Sequence, residues 1–237
     1  MIIAVDGPAG AGKGTLAKTL AGHFKMAYLD TGALYRAVGA AVLKQNKDPQ
    51  DPDAATAAAQ HLDFDFRDIG GGIFHAFIDG EDAEQELRTA GVGEAASMVS
   101  SVPAVRQALK EFQVNFAQKH TDGHQEIRGA ILDGRDIGTI ICPDADLKFF
   151  LEADARVRAE RRLKQLRDKG EDISLEEVYA QTVARDKRDR TRKDAPLKPA
   201  DDAIIVDTSR MQAEQVFEHI KALVQDNLPP KSAFQSA

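Results

Sequence analysis

The sequence predicts an α/β protein: a three-layer fold around a five-stranded parallel sheet, with a small antiparallel insert and a charged helical segment. Three observations carry this. Five short apolar runs, each closing on or near an acid, are separated by stretches of helical spacing. A glycine-rich loop joins the first run to such a helical stretch. One stretch alone alternates strictly between apolar and polar residues.

The elements follow in order. "IIAV" (2–5) reads as a short buried strand. Lys13 to about Phe24 reads as a helix, because Leu16, Leu20 and Phe24 fall one turn apart on one face. "MAYLD" (26–30) is a second strand, after which Thr31 is placed to cap a helix running to about Gln45. "GAILD" (129–133), "LKFFL" (147–151) and "AIIVD" (203–207) supply three more strands. Strands separated by helices imply parallel pairing with right-handed crossovers, and uninterrupted apolar runs suit strands covered on both faces.

Two segments break that rhythm. In "LDFDFRD" Leu62, Phe64 and Phe66 share one face and acids the other; "GGG" (70–72) and "IFHAFID" follow, a hairpin signal with one wet face. Pro103 then opens a long helix (about 103–119), at a first-turn position where its missing N–H costs nothing. The second break, 153–194, holds nearly half of the chain's Lys and Arg, interleaved with acids. Its plainer reading is a pair of solvated helices with ion pairs at i,i+4. The chain thus divides into a core (about 1–60, 103–152, 195–228), an insert (about 61–102), the charged region (about 153–194) and a disordered tail (about 229–237) of one domain.

Composition narrows the function. A length of 237 residues suits one α/β domain with small insertions, and 43% hydrophobic residues fill a sizeable core. Tryptophan is absent and aromatics are only 6%, so that core is aliphatic. A net charge of -7 argues against a general nucleic-acid or membrane-surface binder. The single cysteine, Cys142, leaves no intrachain disulfide or cysteine metal cluster, reads as buried filler, and fits a reduced, cytoplasmic compartment. The apolar start is too short for a secretory or membrane-spanning segment. The six histidines show no ligand spacing.

The residues that carry chemistry begin with "GPAGAGKGT": Gly7, Pro8, Ala9, Gly10, Ala11, Gly12, Lys13, Gly14 and Thr15. Gly7, Gly12 and Lys13 fit G-x-x-x-x-G-K between a strand and a helix, the context of a P-loop. Glycines let backbone N–H groups converge on phosphate oxygens, the helix start adds positive potential, and Lys13 reaches the outer phosphates. Gly14 stands where Ser or Thr usually serves Mg²⁺, so Thr15 is the candidate hydroxyl. Asp133, ending a strand, is a candidate to face Mg²⁺ through water; a turn with Gly134 is the plainer reading.

A P-loop does not choose between hydrolysis and transfer. "DTGALYR" places Thr31 and Arg36, and "DGRD" places Arg135 and Asp136, after strand carboxyl ends, where ligands of open parallel sheets bind. Arg36 and Arg135 therefore suit a second anion, since the guanidinium fork binds phosphate bidentately.

"DGPAGAGKGT", "YLDTGALYR", "EAASMVSSVPAVRQAL", "LDGRDIGT" and "RDKRDRTRKDAPLKPADDAIIVDTS", in order from about residue 2 to about 226, together resemble the bacterial cytidylate kinases. The glycine loop alone also suits adenylate kinases; "DTGALYR", "LDGRDIGT" and "RDKRDRTR" are more specific. The resemblance implies a P-loop nucleoside-monophosphate kinase with a monophosphate-binding insert, a helical lid at 153–194, and ATP and CMP or dCMP as substrates. It places ATP on Gly7 through Thr15, and Thr31, Arg36, Arg135 and Arg192 at the acceptor phosphate. Ser97, Arg106 and Asp136 fall to cytosine, Arg185 and Asp189 to ribose, and Arg158 and Arg162 to the transferring phosphates. It also suggests a monomer. Another monophosphate kinase, acting on UMP or AMP, is the nearest alternative; a P-loop ATPase or regulatory switch, or an RNA binder using the basic region, fits less well.

Overall fold

The computed structural model describes residues 1–69, 74–121, 129–168 and 170–227. The "GGG" turn and the tail from 229 lie outside the described residues. The chain forms two compact units, one from Met1–Ala27 with the described part of Ala117–Ala237, the other from Tyr28–Phe116.

The first unit is built on the sheet. Strands β1 (Ile2–Asp6), β2 (Ala27–Asp30), β6 (Ala130–Asp133), β7 (Leu147–Glu152) and β8 (Ile204–Asp207) lie in the order β2-β6-β1-β7-β8. β1 is central, pairing in parallel with β6 (Val5 beside Asp133) and β7 (Asp6 beside Phe150). β2 leads out of this unit into the second. The expected strands are all present, with one correction. β8 is not covered on both faces: as an edge strand it leaves Ile204 36% and Ile205 57% exposed. Helix α1 (Lys13–Phe24) buries Leu16, Leu20 and Phe24, as its spacing predicts. After β6 the chain makes a single π-turn (Ile137–Ile141) before β7. Helices α7 (Ala155–Arg167) and α8 (Leu175–Thr191) pack through Ala159, Leu163, Leu166 and Val178. Ser174 starts α8 with a capping box to Glu177, and Arg156 and Glu160 approach to 3.8 Å at i,i+4. Helix α9 (Ala213–Asn227) buries Val216, Ile220 and Val224.

The second unit carries helices α2 (Thr31–Lys44), α3 (Pro52–Gln60), α4 (Glu84–Leu87), α5 (Ala90–Val99) and α6 (Pro103–Lys119), and the antiparallel strands β3 (Phe64–Asp68), β4 (Phe74–Ile78) and β5 (Glu81–Asp82). The wet-faced hairpin is as read from the alternation: Phe64 is buried, and Leu62 and Phe66 pack on the same core. α2 and α5 meet at Gly39, where an added Cβ would stand 3.0 Å from both Ala95 Cβ and Ala96 N. Thr31 is the first helical residue of α2, not its cap. Asp30 holds the cap position, and its carboxylate is taken by Arg88 at 3.3 Å. α3 lies outside the expected elements, although Asp51 caps it (to Asp53 N at 3.0 Å) and Pro52 opens it.

Candidate active site

In the first unit the glycine loop runs from the end of β1 into α1. Gly7 is required sterically: at φ +143° any Cβ would lie 2.1 Å from the Leu151 carbonyl oxygen of β7. Gly12, at φ +93°, precedes α1 in the left-handed region, where nothing crowds it but a side chain is strained. Lys13 opens the helix, 6% exposed, and its Nζ donates to the Pro8 carbonyl at 2.9 Å, folding the ammonium back across the loop.

Around Lys13 stand Asp6 and Asp133, whose charges favour the ammonium, and Arg135 and Arg185, whose charges oppose it. Burial, then Arg135, pushes Lys13 down to about 7 despite the two carboxylates. Asp133 is buried at the end of β6 and Asp136 is buried three residues on. Arg135 Nε donates to Asp189 of α8 at 3.2 Å. Burial alone would raise Asp189, but Arg135, Arg185 and Arg192 outweigh it and hold the carboxyl below its ordinary value. Arg192, just past α8, donates through Nε to the Ala195 carbonyl at 2.5 Å. The cluster therefore gathers Lys13, Arg135, Arg185 and Arg192 with Asp6, Asp133, Asp136 and Asp189 beside the glycine loop, so cations able to meet phosphate oxygens are already held in place by buried carboxylates.

The geometry separates the closely spaced arginines of α7. Arg158, 4% exposed, forms two bonds to Asp186 of α8 (2.9 and 2.5 Å) and donates to the carbonyls of Ala153 (2.8 Å) and Ala9 (3.1 Å). It thus joins both charged helices to the glycine loop. Arg161 instead anchors α7 to Thr208 after β8, donating to its carbonyl at 2.7 Å. The Thr208 hydroxyl in turn lies 3.2 Å from the Ala11 carbonyl of the loop. Arg162 is half-buried one turn beyond Arg158, where burial lowers it and Glu171 opposes. Thr15 is exposed on the first turn of α1. A cleft of about 330 Å³ beside Pro8 carries Glu152, Asp154 and Asp207 against Arg190, a balance unsuited to phosphate.

The second unit holds the other expected residues. Thr31 is buried at the start of α2, and Arg36 Nη1 donates to the Leu87 carbonyl at 2.9 Å. Gly93 leaves room for this guanidinium, since a Cβ there would sit 3.0 Å from Arg36 Nη1. Ser97 is buried on α5. Arg106 of α6 lies over the Tyr35 ring at 5.3 Å and donates to the Ser100 carbonyl at 3.3 Å. Arg88 bonds Glu84 and Asp30, whose charges raise it against the effect of burial.

Sequence reasoning passed over Asp6, Asp186 and Thr208. Asp6 had a signal: "AVDG" repeats the strand–Asp–Gly ending of "ILDG", and the two strands prove to be neighbours. Asp6 is 5% exposed, accepts the N–H groups of Ile137 (2.9 Å) and Gly138 (2.8 Å), and is pushed by burial up to about 6 against those bonds.

Comparison with known proteins bears on the chain as a whole. The family model for cytidylate kinase matches residues 3–226. The chain is 48% identical to a cytidylate kinase of Rhodospirillum rubrum over 215 residues, which cover 91% of this chain and 92% of that protein. It is 44% identical to one of Granulibacter bethesdensis over 230 residues, 97% and 99% of the two chains. The crystal structure of an uncharacterised protein from Eubacterium ventriosum shares the fold alone, at a TM-score of 0.50 and 13% identity, covering 95% of this chain and 98% of the other. The match begins before the glycine loop and runs past the last strand, taking in both units, and so the chain belongs to the cytidylate kinase family.

Proposed function

We propose that the protein transfers the γ-phosphoryl group of ATP to CMP and dCMP, giving ADP and CDP or dCDP, as a cytoplasmic monomer in pyrimidine nucleotide metabolism. The observation that carries this reading is the set of lysine and arginine side chains gathered around the buried Lys13 at the glycine loop, in a chain of this family. Among the described residues no helix is long and apolar enough to cross a membrane.

Gly7 through Thr15 hold the ATP phosphates. Lys13 and Arg135 stabilise charge as it spreads over the transferring oxygens, and Arg158 and Arg162 serve the same phosphates from the lid region. Thr31, Arg36, Arg135 and Arg192 take the acceptor phosphate, and Arg185 and Asp189 the ribose. That acceptor is largely dianionic near neutral pH, with a second pKa of about 6, so the protein needs no general base. Its work is to align two anions and exclude water.

Mg²⁺ fits the donor set: the exposed Thr15 hydroxyl and the Asp133 carboxylate beside Lys13 are hard oxygen donors. They would hold the ion, Asp133 through water, together with nucleotide phosphates; when bound it supplies charge neutralisation on those phosphates.

Ser97, Arg106 and Asp136 read cytosine. A carboxylate accepts from its N4 amino group, and a guanidinium donates to its N3 and O2. Uracil reverses the N3 and position-4 groups, so each contact would leave a buried partner unsatisfied at about 1–3 kcal/mol. The test is a steady-state assay with ATP and Mg²⁺ against CMP, dCMP, UMP and AMP. CMP and dCMP are expected to lead; equal or faster turnover of UMP or AMP would assign a different monophosphate kinase, and ATP consumption independent of any acceptor would assign an ATPase or switch.

A further inference from the structure

The loop between β6 and the π-turn is fixed at both ends by the last two residues of β1. On one side of Arg135 and Asp136, the Gly134 N–H donates to the Val5 carbonyl at 3.0 Å. On the other, the N–H groups of Ile137 and Gly138 donate to the two carboxylate oxygens of Asp6, at 2.9 and 2.8 Å. The Asp136 carbonyl then accepts from Ile140 at 2.9 Å and Ile141 at 3.2 Å, so the π-turn starts from a residue whose following N–H groups are already held. Asp6 spans 131 and 132 residues of sequence to do this and is 5% exposed. At Gly138 a Cβ would crowd the Lys148 stem at 3.1 Å and reach ordinary contact, 3.5 Å, with Asp6 Oδ2.

From this clamp we infer that Asp6 is a positioning residue for acceptor recognition: its carboxylate sets the direction in which the backbone presents Arg135 and Asp136. The inference rests on the roles proposed above for those two residues. A buried carboxylate is the only side chain of this length that accepts two adjacent N–H groups, one on each oxygen. Its amide counterpart accepts through one oxygen and sets N–H against N–H at the other. The loop is then free to turn about its remaining anchor. Because Asp6 also lies in the field of Lys13, an effect exerted through the ammonium would fall on ATP instead, which separates the two routes.

The experiment compares Asp6→Asn and Gly138→Ala with the parent enzyme, measuring KM for CMP, KM for ATP, kcat and the CMP-to-UMP ratio of kcat/KM. Asp136→Asn runs in parallel. Losing one charged hydrogen bond of the clamp predicts a rise in KM for CMP of about tenfold and a comparable fall in the CMP-to-UMP ratio, with KM for ATP changed by less than about threefold. Gly138→Ala leaves the carboxylate chemically intact and loads the clamped loop through the crowding of its new methyl against the Lys148 stem. It is expected to shift the same two quantities in the same direction by a smaller factor, and it decides the matter if Asp6→Asn does not fold. A variant set with lower kcat and melting temperature but unchanged CMP KM and base preference makes Asp6 merely structural and overturns the inference. So does an equal rise in KM for ATP. If Asp136→Asn itself leaves the base preference unchanged, the role of Asp136 fails and the inference falls with it; if Asp136→Asn acts and the other two do not, only the inference fails.

Discussion

Asp186→Ala removes the anion from a guanidinium that has almost no access to water. Arg158 is 4% exposed and Asp186 retains 15% of its side-chain exposure, so the pair is largely desolvated. Two of the four Arg158 hydrogen bonds go to the carboxylate and two to the carbonyls of Ala153 and Ala9. Stripping one partner from a buried ion pair costs about 3–5 kcal/mol. The two carbonyl contacts survive the substitution and the Asp186 side is partly wet, which places the loss at the low end, about 3 kcal/mol. For a chain of this size that is a fall in melting temperature of roughly 6–12 °C, read by differential scanning calorimetry near neutral pH. Replacing both members, as Arg158→Met with Asp186→Leu, should recover much of the loss, because no uncompensated charge remains. Added ATP should raise the melting temperature of Asp186→Ala more than that of the parent, since the phosphates give Arg158 a new anionic partner. A fall below about 2 °C for Asp186→Ala would refute the reasoning, since a buried, fully bonded pair cannot be so cheap to break.

Two further outcomes follow from the cluster. Lys13→Ala is expected to lower kcat by about a hundredfold or more with the fold intact by circular dichroism, because it removes charge stabilisation at the transferring oxygens; near-normal turnover would remove Lys13 from the mechanism. Asp189 is held below its ordinary value, so the stability it contributes is complete above its unfolded pKa of 3.8 and is lost as pH falls through the lower folded value. Asp189→Asn should therefore flatten the acid limb of a stability-against-pH curve below about pH 4, measured by urea midpoints; an unchanged limb would mean that other carboxylates set it.

The parts of this fold that were legible in the sequence are those fixed by local pattern. β1, the glycine loop and α1 announce themselves because strand, turn and helix each carry their own signal within 24 residues. The Leu62, Phe64 and Phe66 face was readable because one wet side forces alternation. α3 was not, because its buried face is built only of alanines, Ala54, Ala55, Ala58 and Ala59, with no large aliphatic residue to mark the spacing. The exposure of β8 depends on its edge position, which composition does not reveal. Cys142 was read correctly as buried: burial pushes its thiol up to about 11. At the site, the residues offered to ligands stand in contiguous motifs, whereas the groups that hold them come from far along the chain. Asp6 reaches the loop after β6, Asp186 reaches Arg158 from the next helix, and Thr208 reaches Ala11 from the last strand. None of these pairings has a fixed spacing. The first and last arise where parallel strands bring the ends of β1, β6, β7 and β8 to one edge of the sheet, and the second where α7 packs on α8.

The central claim is that the phosphate held by the glycine loop leaves for a second phosphate on a cytidine nucleotide. Incubating the enzyme with γ-labelled ATP, Mg²⁺ and CMP, and separating the products, tests it most directly. The account predicts that the label appears in the β-phosphate of CDP, in amounts equal to the ADP formed, with little free phosphate. Label recovered as inorganic phosphate, or ADP formation that does not depend on CMP, would contradict it.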